Sequence, residues 1–125
     1  MKEIIHTDQA PKAIGPYSQA VKSGNLLFIS GQIPLDPGSM EVVGESAARQ
    51  AEQVLKNIGA ILKAAGLDYA DVVKTTVLLA DINDFKAVNE VYGGFFRQEP
   101  PARAAYQAAA LPMGVLVEIE AIAAY

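Results

Sequence analysis

Glu118 and Glu120 stand two residues apart in the run Val115 to Ala124. A spacing of two puts both carboxylates on one face of a strand. Leu116 and Ile122, their neighbours on that face, are apolar. The pair reads either as a solvated sheet face or as one carboxylate in a pocket, orienting or deprotonating a water. Arg103 is the second candidate. It follows Pro100-Pro101-Ala102 and opens a run of small residues, Ala104, Ala105, Ala108 and Ala109. Small neighbours leave room for a ligand beside the guanidinium, whose planar fork suits bidentate capture of a carboxylate or phosphate. The alternative is a plain salt bridge to Glu118 or Glu120. The third group is Gly15-Pro16-Tyr17-Ser18 with Ser30-Gly31-Gln32. Tyr17 and Ser30 supply hydroxyls, and Gly31 lets a backbone N–H come close to a ligand. Asn89 reads as a plain surface amide, His6 as a surface or strand-end residue, and Phe85, Tyr92, Phe95 and Phe96 as core. No Gly-rich phosphate loop, nucleophile elbow, metalloprotease helix or calcium loop is present.

The elements that must position these groups follow from periodicity. Lys2 to His6 reads as a short strand and residues 7–16 as loop. Ser18 to Lys22 and Leu26 to Ser30 are β-prone runs joined by Ser23-Gly24-Asn25, a hairpin. Pro34, Asp36-Pro37-Gly38 and Gly44 mark a turn-rich loop. Ser46 to Ala65 is an amphipathic helix, with Ala47, Ala51, Val54, Ile58, Ile61 and Ala65 on one stripe, Ser46 as N-cap and Gly66 as the stop. Asp71 to Ala80 is a buried strand rich in β-branched residues. Asp81 or Asn83 then caps a second helix that carries Phe85, Val88 and Tyr92 on one face; Gly93-Gly94 weakens its last turn and Pro100-Pro101 ends it. Arg103 to Ala109 and Val115 to Ala124 are the last strands. In the final one Val117, Ile119, Ala121 and Ala123 point one way, Leu116, Glu118, Glu120, Ile122 and Ala124 the other. The order β-β-β-α-β-α-β-β predicts an α+β fold: a mixed sheet with two helices on one face. The bare face, rich in apolar residues, predicts self-association with closed symmetry.

Composition removes whole classes of function. The chain has 125 residues, one domain's worth over 1–125, and 51% of them are hydrophobic. Its net charge is −4 and no basic stripe runs along it, which makes nucleic acid an unlikely partner. There is no Cys and one His, which leaves no thiol nucleophile, disulfide or zinc ribbon. No apolar run reaches transmembrane length and no signal peptide opens the chain, so the expected location is cytoplasmic.

Taken together, Ile14-Gly15-Pro16-Tyr17-Ser18-Gln19-Ala20, Ile29-Ser30-Gly31-Gln32-Ile33-Pro34, Pro101-Ala102-Arg103, Leu111-Pro112 and Val117-Glu118-Ile119-Glu120-Ala121-Ile122-Ala123 strongly resemble the reactive intermediate deaminase family, also called RidA or YjgF. The likeness extends to Val73-Lys74-Thr75-Thr76-Val77 and Asp81-Ile82-Asn83-Asp84-Phe85. It implies a chorismate-mutase-like fold in a homotrimer, with the sheets lining a central barrel and three ligand clefts at the subunit interfaces. It implies hydrolysis of 2-imino acids and their enamines, such as 2-aminoacrylate/2-iminopropanoate and 2-iminobutanoate, to 2-keto acids and ammonia, without metal or cofactor. By the resemblance Arg103 binds the carboxylate and Glu118 lies near the attacking water. Tyr17, Ser30, Gly31 and Asn89 line the cleft, and Ala105 offers its backbone. One departure stands out: many bacterial members carry Ser or Thr, then Cys or Thr, after the Arg, where this chain has Ala104 and Ala105. That puts substrate preference in doubt. The alternatives are an RNA-directed translation inhibitor or ribonuclease, described for some relatives, and a cofactor-free sensor or holdase for small carboxylates.

Overall fold

The computed structural model describes all 125 residues. Strands β1 (Lys2–Ile5), β2 (Ala20–Ser23) and β3 (Leu26–Gln32) precede helix α1 (Ala47–Ala64). β4 (Val72–Leu79) leads to α2 (Phe85–Phe95), and β5 (Ala102–Gln107) and β6 (Val117–Ala124) close the chain. The strands form one sheet in the spatial order β1-β2-β3-β6-β4-β5. All neighbours are antiparallel except β4 and β5. A parallel pair needs a crossover, and α2 supplies it. Both helices lie on one face, as the order of elements predicts. No helix is long and apolar enough to cross a membrane.

Alternation in β6 divides the sheet into two faces. Val117, Ile119, Ala121 and Ala123 are buried under the helices, whereas Glu118, Ile122 and Ala124 are half-buried and Glu120 is exposed on the other side. Val54, Leu55, Ile58, Ile61 and Leu62 of α1 meet that core. Ser46 caps α1 as expected, its Oγ accepting from Arg49 N–H at 3.1 Å. Gly59, in mid-helix, makes room for the Tyr69 ring, which an alanine Cβ would overlap. The ring's hydroxyl donates to Leu55 C=O at 2.7 Å.

The apolar stripe of α1 misses two buried amides. Asn57 Nδ2 donates to Ile33 C=O and Leu35 C=O at 3.2 and 3.0 Å. Gln50 accepts from Leu116 N–H at 2.8 Å and donates to Gly44 C=O at 3.1 Å. These side chains fasten the turn-rich loop and the entry to β6 onto the helix. A buried amide with all partners in place fixes one loop geometry where an apolar contact would not.

Several boundaries differ from expectation. The second strand begins at Ala20, not Ser18, because Ser18 C=O is taken by Ser30 Oγ at 2.6 Å. Asp81 caps only a short 3₁₀ turn, Ile82–Asp84, by accepting from Asn83 N–H at 2.9 Å; α2 follows with no side-chain cap. Helix α2 runs through Gly93-Gly94 but stops at Phe95, well before Pro100-Pro101. There the chain leaves the helix to bury the Phe96 ring against Tyr92, 4.6 Å between centroids.

The face away from the helices is bare. Ile4, Val21, Phe28 and Ile122 lie in register across β1, β2, β3 and β6. Ile4 is 52% exposed and Phe28 43% exposed, and Tyr106 on β5 adds a third exposed ring or branch on the same side of the sheet.

Candidate active site

The first cluster is built on an irregularity in the sheet. Between the pairs Ile29↔Ala121 and Gln32↔Ile119 the register shifts, so Ser30 and Gly31 oppose Glu120 alone. This is a β-bulge, which re-aims side chains. Gly31 thereby comes up against Glu118: a Cβ at residue 31 would overlap Glu118 Oε2 and stand 3.1 Å from its Cδ. The carboxylate occupies the space that a side chain at residue 31 would fill, so a Cβ there would have to move it aside. Burial raises the Glu118 pKa, and the Glu120 charge beside it raises it further. Both effects disfavour the ionised form.

The loop carrying Tyr17 is pinned beside the bulge by Gln19. This buried amide accepts from Thr7 N–H at 2.8 Å and donates to Pro11 C=O at 2.8 Å. Tyr17, half exposed, shares a small cleft with Gly31 and Gln32. The Ser30 hydroxyl proton is committed to Ser18 C=O. Ser30 thus ties hairpin to loop, and only its oxygen lone pairs remain for a ligand.

The second cluster lies on the edge strand β5. Arg103 is the register partner of Thr75, so its side chain leaves the sheet on the helix side. Arg103 NH1 donates to Asn89 Oδ1 on α2 at 2.6 Å. The guanidinium carbon lies 4.8 Å from the Tyr92 ring centroid and 5.3 Å from that of Phe85. No carboxylate lies within ion-pair distance of it. Asn89, Tyr92, Gly93, Phe96, Pro100, Pro101 and Arg103 wall a groove of about 410 Å³. Ala108 N–H donates to Leu79 C=O at 2.9 Å. Alternation along a regular parallel pair then turns the N–H and C=O of Ala105 to the open edge, free for a ligand.

The chain does not bring the two clusters together. Arg103 stands in the row of Thr75 and Ala121, Glu118 in the row of Leu78, three residues along β6 and two strands away. Strand spacing and rise put their backbones roughly 14 Å apart. Their side chains also leave opposite faces of the sheet. The salt bridge of Arg103 to Glu118 or Glu120, open from sequence, is therefore absent within the chain. Tyr17, Ser30, Gly31 and Glu118 form one half-site; Arg103, Asn89 and Ala105 form another. Sequence reading missed Phe85 and Tyr92 as partners of Arg103. Tyr92 does belong to the core and Phe85 packs against it, but both rings also face the guanidinium; an Arg fourteen residues after an Asn on an aromatic helix face is a usable signal of this.

A family model described as Endoribonuclease L-PSP matches residues 7–125. The chain belongs to this family. It is 58% identical over 123 residues to a human protein named 2-iminobutanoate/2-iminopropanoate deaminase, covering 98% of this chain and 90% of the human one. Among solved structures it is similar to RidA from the Antarctic bacterium Psychrobacter, at 52% identity and a TM-score of 0.95, over 98% and 99% of the two chains. It is also similar to Escherichia coli TdcF with bound serine, at 46% identity and a TM-score of 0.94, over 98% of each chain. The α+β fold, a mixed sheet with two helices on one face, and the resemblance to the reactive intermediate deaminase family both stand.

Proposed function

We propose that the chain hydrolyses small 2-imino acids and their enamines to 2-keto acids and ammonia, in a cleft completed by two copies of itself. The observation that carries this reading is Arg103: a guanidinium held by Asn89 and two rings, with no acidic partner and its remaining N–H donors uncommitted. An unpaired fork in a groove suits a small carboxylate. The names of the human and Psychrobacter relatives supply the reaction class. The TdcF structure holds an amino acid, which has the carboxylate that Arg103 would bind.

In this mechanism Arg103 takes the carboxylate and the Ala105 backbone fixes its orientation. Glu118 of a second copy orients a water and accepts its proton as the oxygen bonds to the imine carbon. The nitrogen takes up a proton, the carbinolamine collapses, and ammonia leaves as the carbonyl forms. Tyr17 and the Gly31 backbone line the opposite wall, with Asn89 beside the Arg. The apolar stripe through Ile4, Phe28 and the half-buried Ile122 gives copies a surface to share, and closure as a homotrimer is the expected arrangement. No metal or cofactor is needed: such imines already hydrolyse in water, so the barrier reduction required is modest.

The test is a coupled assay. A serine/threonine dehydratase generates the imine, semicarbazide traps what remains, and keto-acid release is followed. Faster release with less trapped imine supports the reading; no change in either rejects it. The family description favours a second reading, an endoribonuclease. That reading requires RNA cleavage with strong salt dependence, from a chain of net charge −4.

Two further outcomes are expected. Glu118 must be ionised to accept a proton, and its pKa is raised by burial and by Glu120. Activity should therefore rise with pH through a midpoint above the ordinary carboxylate value of 4.5, and Glu120→Gln should bring that midpoint down. A pH–rate profile of the two proteins checks both. Stability has the opposite sign: a carboxyl with a raised folded pKa loses stability as pH climbs from the ordinary value through the folded one. Gly31→Ala should push the Glu118 carboxylate aside, and a displacement near 1 Å costs on the order of 10²-fold in turnover. Unchanged turnover in Gly31→Ala would count against Glu118 as the water's partner.

A further inference from the structure

The Arg103 guanidinium needs a support that the edge strand cannot give. β5 is exposed along almost its whole length, and a long side chain on such a strand is free to sample many rotamers. Beneath it lies an unusual core pair. Thr75, 1% exposed, and Tyr92, 5% exposed, share a hydrogen bond of 2.6 Å between their hydroxyls. Phenylalanine and valine would fill nearly the same volume without two hydroxyls to satisfy. The bond has a geometric effect: it fixes the Tyr92 ring from below, through the central strand β4. Thr75 is the register partner of Arg103, so the fastening point lies directly beside the residue whose guanidinium the ring carries. Asn89, one turn before Tyr92 on α2, holds the guanidinium from the side. Burial keeps the Tyr92 phenol protonated, so the bond persists across the range in which the chain would work.

We infer that Thr75 and Tyr92 are positioning residues: the hydroxyl pair locks the aromatic face that aims the Arg103 fork at a substrate carboxylate. The inference rests on the carboxylate role proposed for Arg103. It assigns the Tyr92 face to binding and not to the bond-making step, so its loss should raise KM and leave kcat alone.

The experiment compares Tyr92→Leu, Tyr92→Phe, Thr75→Val and Thr75→Ser with the unaltered protein. Readouts are KM and kcat for imine hydrolysis, Kd for 2-oxobutanoate by calorimetry, and the Arg103 Nε–H resonance, which the ring shifts. Tyr92→Leu should raise KM and Kd about three- to fivefold, the loss of a cation–π contact to an exposed guanidinium, with kcat within about twofold. Tyr92→Phe and Thr75→Val should each raise KM about two- to threefold, the low end of a hydrogen bond's range, and the double variant no more than either alone. Thr75→Ser should restore the unaltered values. A merely structural role would lower the melting temperature but leave KM, Kd and the Nε–H resonance in place. Unchanged Kd in folded Tyr92→Leu overturns the inference. Should that variant not fold, the Tyr92→Phe and Thr75→Val pair decides: a common rise in Kd supports it, and no rise overturns it. Failure of the deaminase reading looks different: no turnover by the unaltered protein, with 2-oxobutanoate still bound and its Kd still judging Tyr92.

Discussion

Arg103→Ala is expected to abolish imine hydrolysis at working substrate concentrations while leaving the fold in place. The two parts of this expectation have separate causes. The fork is the one free cationic group in the groove of Asn89, Tyr92, Phe96 and Pro101, so nothing nearby can take over its carboxylate. Truncating one partner of a desolvated hydrogen-bonded charge pair costs about 3–5 kcal/mol, which is roughly 150- to 5,000-fold in kcat/KM. Stability should hardly move. Arg103 is exposed and holds no ion pair in the chain, and what it loses is one hydrogen bond and two ring contacts at the surface. Such contacts are worth about 0.5–1 kcal/mol at exposed sites. Arg103→Lys sharpens the experiment. Lysine keeps the charge but not the planar fork, so most of the loss should remain. Full activity in either variant, measured in the dehydratase-coupled assay with an unchanged thermal melt, would remove Arg103 from the site.

The plan of the fold was legible because its signals are periodic. Alternation in Val117–Ala124 and the stripe of α1 each report one face of one element, and both faces are as read. Less legible were events that depend on a single distant partner. Gln50 and Asn57 look like breaks in an apolar stripe until Leu116, Ile33 and Leu35 are seen to need them. The early end of α2 depends on where Phe96 finds a pocket, beside Tyr92 and Tyr69, not on a stop signal in its own sequence. At the site, residue types pointed to a carboxylate binder and a carboxylate base, the roles proposed here for Arg103 and Glu118. Their separation did not show, since it depends on strand order: β6 inserts between β3 and β4, which puts Glu118 two strands from Arg103. Nor did the bulge at Ser30-Gly31, which converts a turn-like glycine into the space that Glu118 fills.

That separation leads to the last expected result: two inactive proteins, mixed, should regain activity. Arg103→Ala and Glu118→Gln each disable every site if both residues act on one substrate. Within one chain they leave opposite faces of the sheet, so one substrate can meet both only between copies. Let the two variants be unfolded together and refolded at equal ratio. In a closed ring each interface draws Arg103 from one copy and Glu118 from the next. An intact site forms where a Glu118→Gln copy supplies the Arg and an Arg103→Ala copy supplies the Glu, which random assembly gives at about a quarter of the interfaces. About a quarter of the unaltered activity should therefore return, against a background lower by a hundredfold or more. Mixing without unfolding should give nothing until copies exchange, and the rate of recovery then measures exchange itself. A site contained in one chain predicts only the mean of two disabled proteins, at any mixing ratio. The dependence on ratio is diagnostic as well. Recovery should follow the product of the two fractions, peaking at equal amounts, because each intact interface needs one copy of each kind.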